Sequence, residues 1–209
     1  MLVADVLTFR EFMMREPLLL ATLQNAVLEF LRGRDDVVVF GAQAVNAYVD
    51  EPRMTQDLDL LSTHAEVLAR ELRDYLRQRF RIAVRVRRVG KGRGFRLFQV
   101  RKSGNRHLVD LRPVKMLPLA KRIAGVLVMA PAELVASKVI AYHQRRGQPK
   151  SGTDWRDLAM LLLTFPKLKC DPGPVVDRLQ AAGASSEVLA VWRELVSQEI
   201  RPSEEEDEF

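Results

Sequence analysis

Two hydrophobic rhythms divide the chain. Over residues 17–33, Leu20, Leu23, Val27, Phe30 and Leu31 recur at spacings of three and four, which lines them along one face of a helix. Another helix is predicted over 8–16. Pro17 between them suits a first helical turn. Val37-Val38-Val39-Phe40 is then an unbroken apolar run ending at Gly41, the pattern of a short strand buried on both faces, and residues 42–48 have helix-forming composition. Asp57-Leu58-Asp59-Leu60-Leu61 reads as the next strand. Residues 63–80 return to helical spacing, with Val67, Leu68, Leu72, Tyr75 and Leu76 predicted to face inward.

Three strands are expected next, over 81–89, 94–101 and 106–113, joined by Gly90-Lys91-Gly92-Arg93-Gly94 and Ser103-Gly104-Asn105. The first alternates Ile82, Val84 and Val86 with Arg81, Arg85 and Arg87. Val126-Leu127-Val128 predicts one more strand. Beyond it Pro131 opens a helix that stops at Gly147, its last turn carrying cations beside the negative end of the dipole. A loop over 148–152 and helices at 153–164, 171–183 and 185–199 complete the reading. The pattern gives an α/β (α+β) architecture: a mixed sheet flanked by helices over 1–115, a C-terminal helical lobe over 116–202, and an acidic, disordered tail over 203–209.

Composition narrows the classes. In 209 residues, 47% hydrophobic and 29% charged positions describe an ordinary globular chain. No secretory signal pattern opens the sequence. The longest apolar stretches, such as 124–136, are too short to span a bilayer. Cys170 is the only cysteine, which excludes an intramolecular disulfide and a multi-thiolate metal site and suits a reducing cytoplasm. The net charge is +6 although five of the last seven residues are acids. The body of the protein should therefore seek polyanions, with no membrane partner. Twelve Arg or Lys and no acid lie between Arg77 and Arg106. This segment is either a solvated face or a phosphate-binding surface, with Arg85 and Arg87 the candidates for RNA contact.

The candidate chemistry lies in 36–62. Asp57 and Asp59 are two apart on a strand and so share a face, where like charges repel unless a cation lies between them. Hard oxygen donors suit Mg²⁺. The same pair would also fit the wet face of an edge strand. Just upstream, the step from strand to helix at Gly41, Ala42 and Gln43 presents backbone N–H groups of the kind that bind phosphate. Arg53 and Thr55 precede the acids. Asp110, between apolar neighbours, is the only acid from 75 to 132, and such an acid is usually paired or metal-bound.

This order resembles the DNA polymerase β-like nucleotidyltransferase superfamily. Within it, Arg53-Met54-Thr55-Gln56-Asp57-Leu58-Asp59 after Gly41-Ala42 looks most like the AbiEii-type toxins, with Ala42 where the family has a second Gly or Ser. Those proteins also carry a lysine on one helix, an arginine near its end and Lys-Asp-x-x-Asp opening the next. Lys138, Arg145 or Arg146, Asp154 and Asp157 follow that order, with Thr153 in place of the second lysine and Lys150 three residues earlier. On the residues alone, Lys138 could instead snorkel to water, and Asp154 and Asp157 could be helix-dipole acids.

The resemblance covers 36–165. It implies a metal-dependent nucleotidyltransferase that moves a nucleoside monophosphate from an NTP to an acceptor hydroxyl, with tRNA as acceptor, two Mg²⁺ ions, and an antitoxin protein as partner. Asp57, Asp59 and Asp110 would hold metal. Lys138 would join them in catalysis, and Gly41, Ala42, Gln43, Arg53, Thr55, Asp154 and Asp157 would contact the nucleotide. The alternatives are transfer to a small hydroxyl compound, as in aminoglycoside nucleotidyltransferases, or a non-catalytic nucleotide- or RNA-binding relative.

Overall fold

The computed structural model describes residues 18–90 and 94–202. The helix expected over 8–16, the glycine-rich turn at 91–93 and the acidic tail at 203–209 lie outside the described residues. The chain forms two compact units, one through Ala130 and one from Pro131.

The first unit is built on a mixed seven-stranded sheet. Its elements are α1 (Leu20–Leu31), β1 (Val37–Phe40), α2 (Gly41–Asn46), β2 (Leu58–Ser62), α3 (Ala65–Phe80), β3 (Val84–Val89), β4 (Gly94–Gln99), β5 (Arg106–Pro113), β6 (Ala120–Ile123) and β7 (Val126–Met129). Strand order is β3-β4-β5-β2-β1-β7-β6. β2 runs parallel to β5, β1 runs parallel to β7, and the other neighbours are antiparallel. The unbroken apolar run of β1 is explained by its central place, where all four residues are buried.

β2 alternates instead. Leu58, Leu60 and Ser62 are buried, while Asp57, Asp59 and Leu61 are partly open. The buried side is covered by α3, which packs on β2 through β5 and against α1. Its buried stripe is Ala65, Leu68, Ala69, Leu72 and Leu76; Val67, expected to face inward, is 53% exposed because it lies off that stripe. One face of β2 is thus core and the other is available for chemistry.

Two other differences from the sequence reading have plain causes. β6 has no apolar pattern, since its residues Ala120-Lys121-Arg122-Ile123 lie at the sheet edge and none is buried. The β6–β7 hairpin carries the first unit on to Ala130, past the division expected near 115.

The second unit holds α4 (Pro131–Gln144), α5 (Pro149–Thr164), a 3₁₀ turn (Pro166–Leu168), α6 (Pro174–Ala181) and α7 (Ser186–Ser197). α4 packs against α5, α6 and α7, with Leu134, Val135, Val139, Leu158, Leu161 and Trp192 buried. The loop expected over 148–152 is instead the first turn of α5, begun by Pro149 at its favoured position. Asp154 and Asp157 consequently lie beyond the first turn, too deep to act as dipole acids.

Candidate active site

Strand register brings the carboxylates together. In β2–β5 pairing, Asp59 stands beside Asp110, and residues paired in a parallel ladder share a face. Asp57 precedes Leu58 and lies on the same side. The row continues in both directions: Phe40 pairs with Asp59, Asp110 with Arg96, and Arg96 with Arg87. Arg87, Arg96, Asp110, Asp59 and Phe40 thus form a line across five strands, from the basic edge to the end of β1.

Protein cations relieve the repulsion among the acids. Arg96 donates to Asp110 through two parallel bonds, Nε to Oδ1 at 2.6 Å and Nη2 to Oδ2 at 2.9 Å. Arg112 lies 4.0 Å from Asp59 and over the Phe40 ring at 5.0 Å. His107 bridges the other two acids: Nδ1 is 2.9 Å from Asp57 Oδ2, and Nε2 is 3.2 Å from Asp110 Oδ1, off the line of a good hydrogen bond.

Sequence reasoning missed His107 for a definite reason. Three residues before Asp110, it would face the opposite side of a regular strand. A bulge intervenes, however, where pairing shifts from Leu97–Val109 to Phe98–His107 and skips Leu108. His107 therefore lies opposite Phe98, Asp110 lies opposite Arg96, and both face the same way. Phe98 stacks on the His107 ring at 5.3 Å and takes the Arg87 guanidinium at 5.7 Å. Arg85 pairs with Phe98, so both basic candidates on β3 are exposed on the carboxylate face.

The charges are strongly coupled. Burial opposes protonation of His107, but its contacts with Asp110 and Asp57 outweigh burial and raise its pKa to about 9. Burial likewise opposes ionisation of Asp110, and the cations His107 and Arg96 outweigh it, bringing the carboxyl to about 2.

A group raised on folding stabilises the protein below its unfolded pKa and ceases to do so as pH rises through the folded value. In metal-free protein, unfolding free energy should accordingly fall between about pH 6.5 and 9, by up to about 3 kcal/mol. His107→Gln should flatten this decline in urea titrations run with a chelator present. An equal slope in the variant would assign the decline to other groups.

Gly41 fits against the acids with no room to spare. Its φ is +69°, and a Cβ there would lie 2.2 Å from Asp59 Oδ2 and 2.9 Å from Asp59 Cβ. Ala42 and Gln43 follow in the first turn of α2. Gln43 is buried, and its side-chain carbonyl accepts from Thr55 Oγ1 at 3.3 Å, while Gln24 Nε2 donates to the Thr55 carbonyl at 3.2 Å. Buried Asn46 clamps Arg53 by donating to its carbonyl at 2.7 Å and accepting from its N–H at 3.0 Å. Three buried amides therefore fix the loop that leads into Asp57. Gln24 and Asn46 are not legible as such from their sequence positions.

Within the helical unit, Lys138 does not snorkel. It is buried with Nζ 2.6 Å from Asp157 Oδ2 and 3.8 Å from Asp154 Oδ1. Arg145 Nη1 donates to Asp154 Oδ2 at 2.6 Å. The residues that the resemblance assigned to the nucleotide are thus one another's partners here.

The donor set suits a metal ion. One donor atom each from Asp57, His107 and Asp110 lie within 4.8 Å of one another, with Asp59 adjacent in register. Oxygen-rich sites of this kind hold hard or borderline dications. Among the described residues no helix is long and apolar enough to cross a membrane.

Comparison with known proteins identifies the family and the fold. The family model for the nucleotidyl transferase AbiEii toxin, type IV TA system, matches residues 25–207. No curated protein matches the chain. Among solved structures, the Megavirus polyadenylate synthase is similar with a TM-score of 0.59 and 14% identity, over 73% of this chain and 32% of that one. The chain therefore spans about a third of the length of that synthase. JHP933 from Helicobacter pylori has a TM-score of 0.53 and 12% identity, over 92% of each chain. At these identities the likeness is one of fold.

Proposed function

This chain belongs to the AbiEii nucleotidyltransferase toxin family and is a nucleotidyltransferase, and from that premise we propose that it moves a nucleoside monophosphate from an NTP to a hydroxyl of tRNA, releasing pyrophosphate. The observation that carries the reading is the line Arg87–Arg96–Asp110–Asp59–Phe40, which joins a carboxylate cluster to a basic strand edge on one face of the sheet.

Asp57, Asp59 and Asp110 would hold two divalent cations, Mg²⁺ in the first instance, which when bound stabilise the charge on the attacking and leaving oxygens. The other roles fall to the chain itself. Backbone N–H groups at Gly41, Ala42 and Gln43 meet the phosphates, and Gly41 lets them approach Asp59. Arg53 and Thr55, on the loop clamped by Asn46 and Gln43, contact the nucleotide. Asp110, its orientation fixed by Arg96, orients the acceptor hydroxyl. From the family resemblance, Lys138, Asp154 and Asp157 are further candidates for nucleotide handling, each held by ion pairs within the helical unit. The setting is cytoplasmic, in keeping with a lone free thiol, and the family supplies an antitoxin as partner.

Arg85 and Arg87 would meet the acceptor's phosphates. Changing both to Ala should flatten the dependence of log affinity for RNA on log salt by up to about two units, at roughly 0.7–0.9 per lost phosphate contact. Fluorescence anisotropy with labelled tRNA over a salt series checks this. An unchanged slope would return the two arginines to the solvated face and remove the support they lend to an RNA acceptor.

A further inference from the structure

The bulge in β5 turns a histidine into the carboxylate cluster, and the hydrogen bonding of that ring is that of a metal ligand. Histidines that bind metals commonly donate their other ring N–H to a carboxylate, which fixes the tautomer and leaves a lone pair on the ligating nitrogen. Nδ1 of His107 has such a carboxylate in Asp57, at 2.9 Å. Nε2 is buried without an aligned hydrogen-bond partner and lies 3.2 Å from Asp110 Oδ1. Neighbouring ligands in an octahedron with bonds of about 2.1–2.2 Å are about 3.0–3.1 Å apart, so this nitrogen and this oxygen are spaced as two ligands of one ion.

We propose that Nε2 of His107 ligates the cation bound by Asp110, completing a mixed nitrogen and oxygen donor set that takes a first-row transition-metal dication such as Mn²⁺ in preference to Mg²⁺. The inference rests on the reading of the carboxylates as metal ligands and adds to it a ligand and a metal class. The chemistry favours the borderline metal on two counts. Imidazole adds affinity for first-row transition metals that it does not add for Mg²⁺. Asp110 also shares both its oxygens with Arg96, which lessens the negative charge it can offer a hard ion.

Pulsed EPR of Mn²⁺ bound to the purified chain tests this. The expected spectrum shows modulation from one directly bound ¹⁴N, replaced by the ¹⁵N pattern when the protein carries ¹⁵N-histidine. His107→Gln should abolish the nitrogen coupling and weaken Mn²⁺ binding about tenfold or more, while Mg²⁺ affinity, read by competition, moves less than about threefold. Saturable Mn²⁺ binding that is lost in Asp110→Asn but shows no nitrogen coupling would overturn the histidine ligand and leave the carboxylate reading intact. Equal affinities for Mn²⁺ and Mg²⁺ in the native chain would overturn the preference. If neither ion binds saturably, this inference and the metal-dependent mechanism both fall. The isotope comparison needs no variant, so the test stands even if His107→Gln does not fold.

Discussion

Gly41→Ala should lower nucleotide transfer by about 10²–10³-fold, the loss typical of removing a fixed transition-state contact. Two effects combine at this position. An L side chain at φ +69° costs about 1–2 kcal/mol in backbone strain, and the new methyl would overlap the Asp59 carboxylate, with Oδ2 at 2.2 Å and Cβ at 2.9 Å. Because Asp59 Cβ is itself too close, rotation of the carboxylate is not enough, and the β1–α2 turn and β2 must separate. Gly33→Ala is the control. Its φ is +76°, yet nothing lies within 4 Å of where the new methyl would stand, so it carries the strain without the clash. Transfer rates and urea unfolding of the two variants check the argument. If Gly41→Ala loses stability like Gly33→Ala but keeps its rate, Asp59 does not need its present place.

Lys138→Met is expected to destabilise the protein by about 3–5 kcal/mol, the cost of removing one member of a buried ion pair. Asp157 is fully buried at 2.6 Å from the lysine, and Asp154, 4% exposed, has Arg145 as its other cation. Replacing Asp157 by Asn in the same chain should restore at least half of that loss, since a buried pair removed together leaves no uncompensated charge. Denaturant midpoints of the two singles and the double form the cycle. Additive losses would mean that the ion pair is not the source of the effect. Any activity lost in Lys138→Met has to be compared with the double variant, which separates a nucleotide contact from a fold that has loosened.

The sheet's central strands are legible in the sequence because burial dictates their composition. An all-apolar β1 and an alternating β2 are what the centre of a sheet and the margin of a site require. The Asp57–Asp59 face follows from strand parity, and Asp110 from the absence of other acids. Parity also explains the misses. His107 lies on the wrong side of any regular strand, and the skipped residue that corrects it leaves no mark in local composition. Arg96 is one of many basic residues, and its pairing with Asp110 depends on hairpin register across the turn at Ser103-Gly104-Asn105 and on the bulge beyond it. β6 lacks an apolar stripe because it is an edge strand with no buried residue. The start of α5 reads as a loop because Gly152 looks like a break, whereas Pro149 has already begun the helix. Lys138 resembles a snorkelling lysine because its partners lie sixteen and nineteen residues away on α5.

The most direct test of the central claim is transfer itself. Purified protein is incubated with each α-labelled NTP, Mg²⁺ or Mn²⁺, and total RNA, and the products are separated on a denaturing gel. Label from at least one NTP should appear in the tRNA band, and Asp59→Asn should reduce it by at least about 10²-fold. Label that no NTP delivers to RNA with either metal, or that Asp59→Asn delivers at the native rate, would contradict the account.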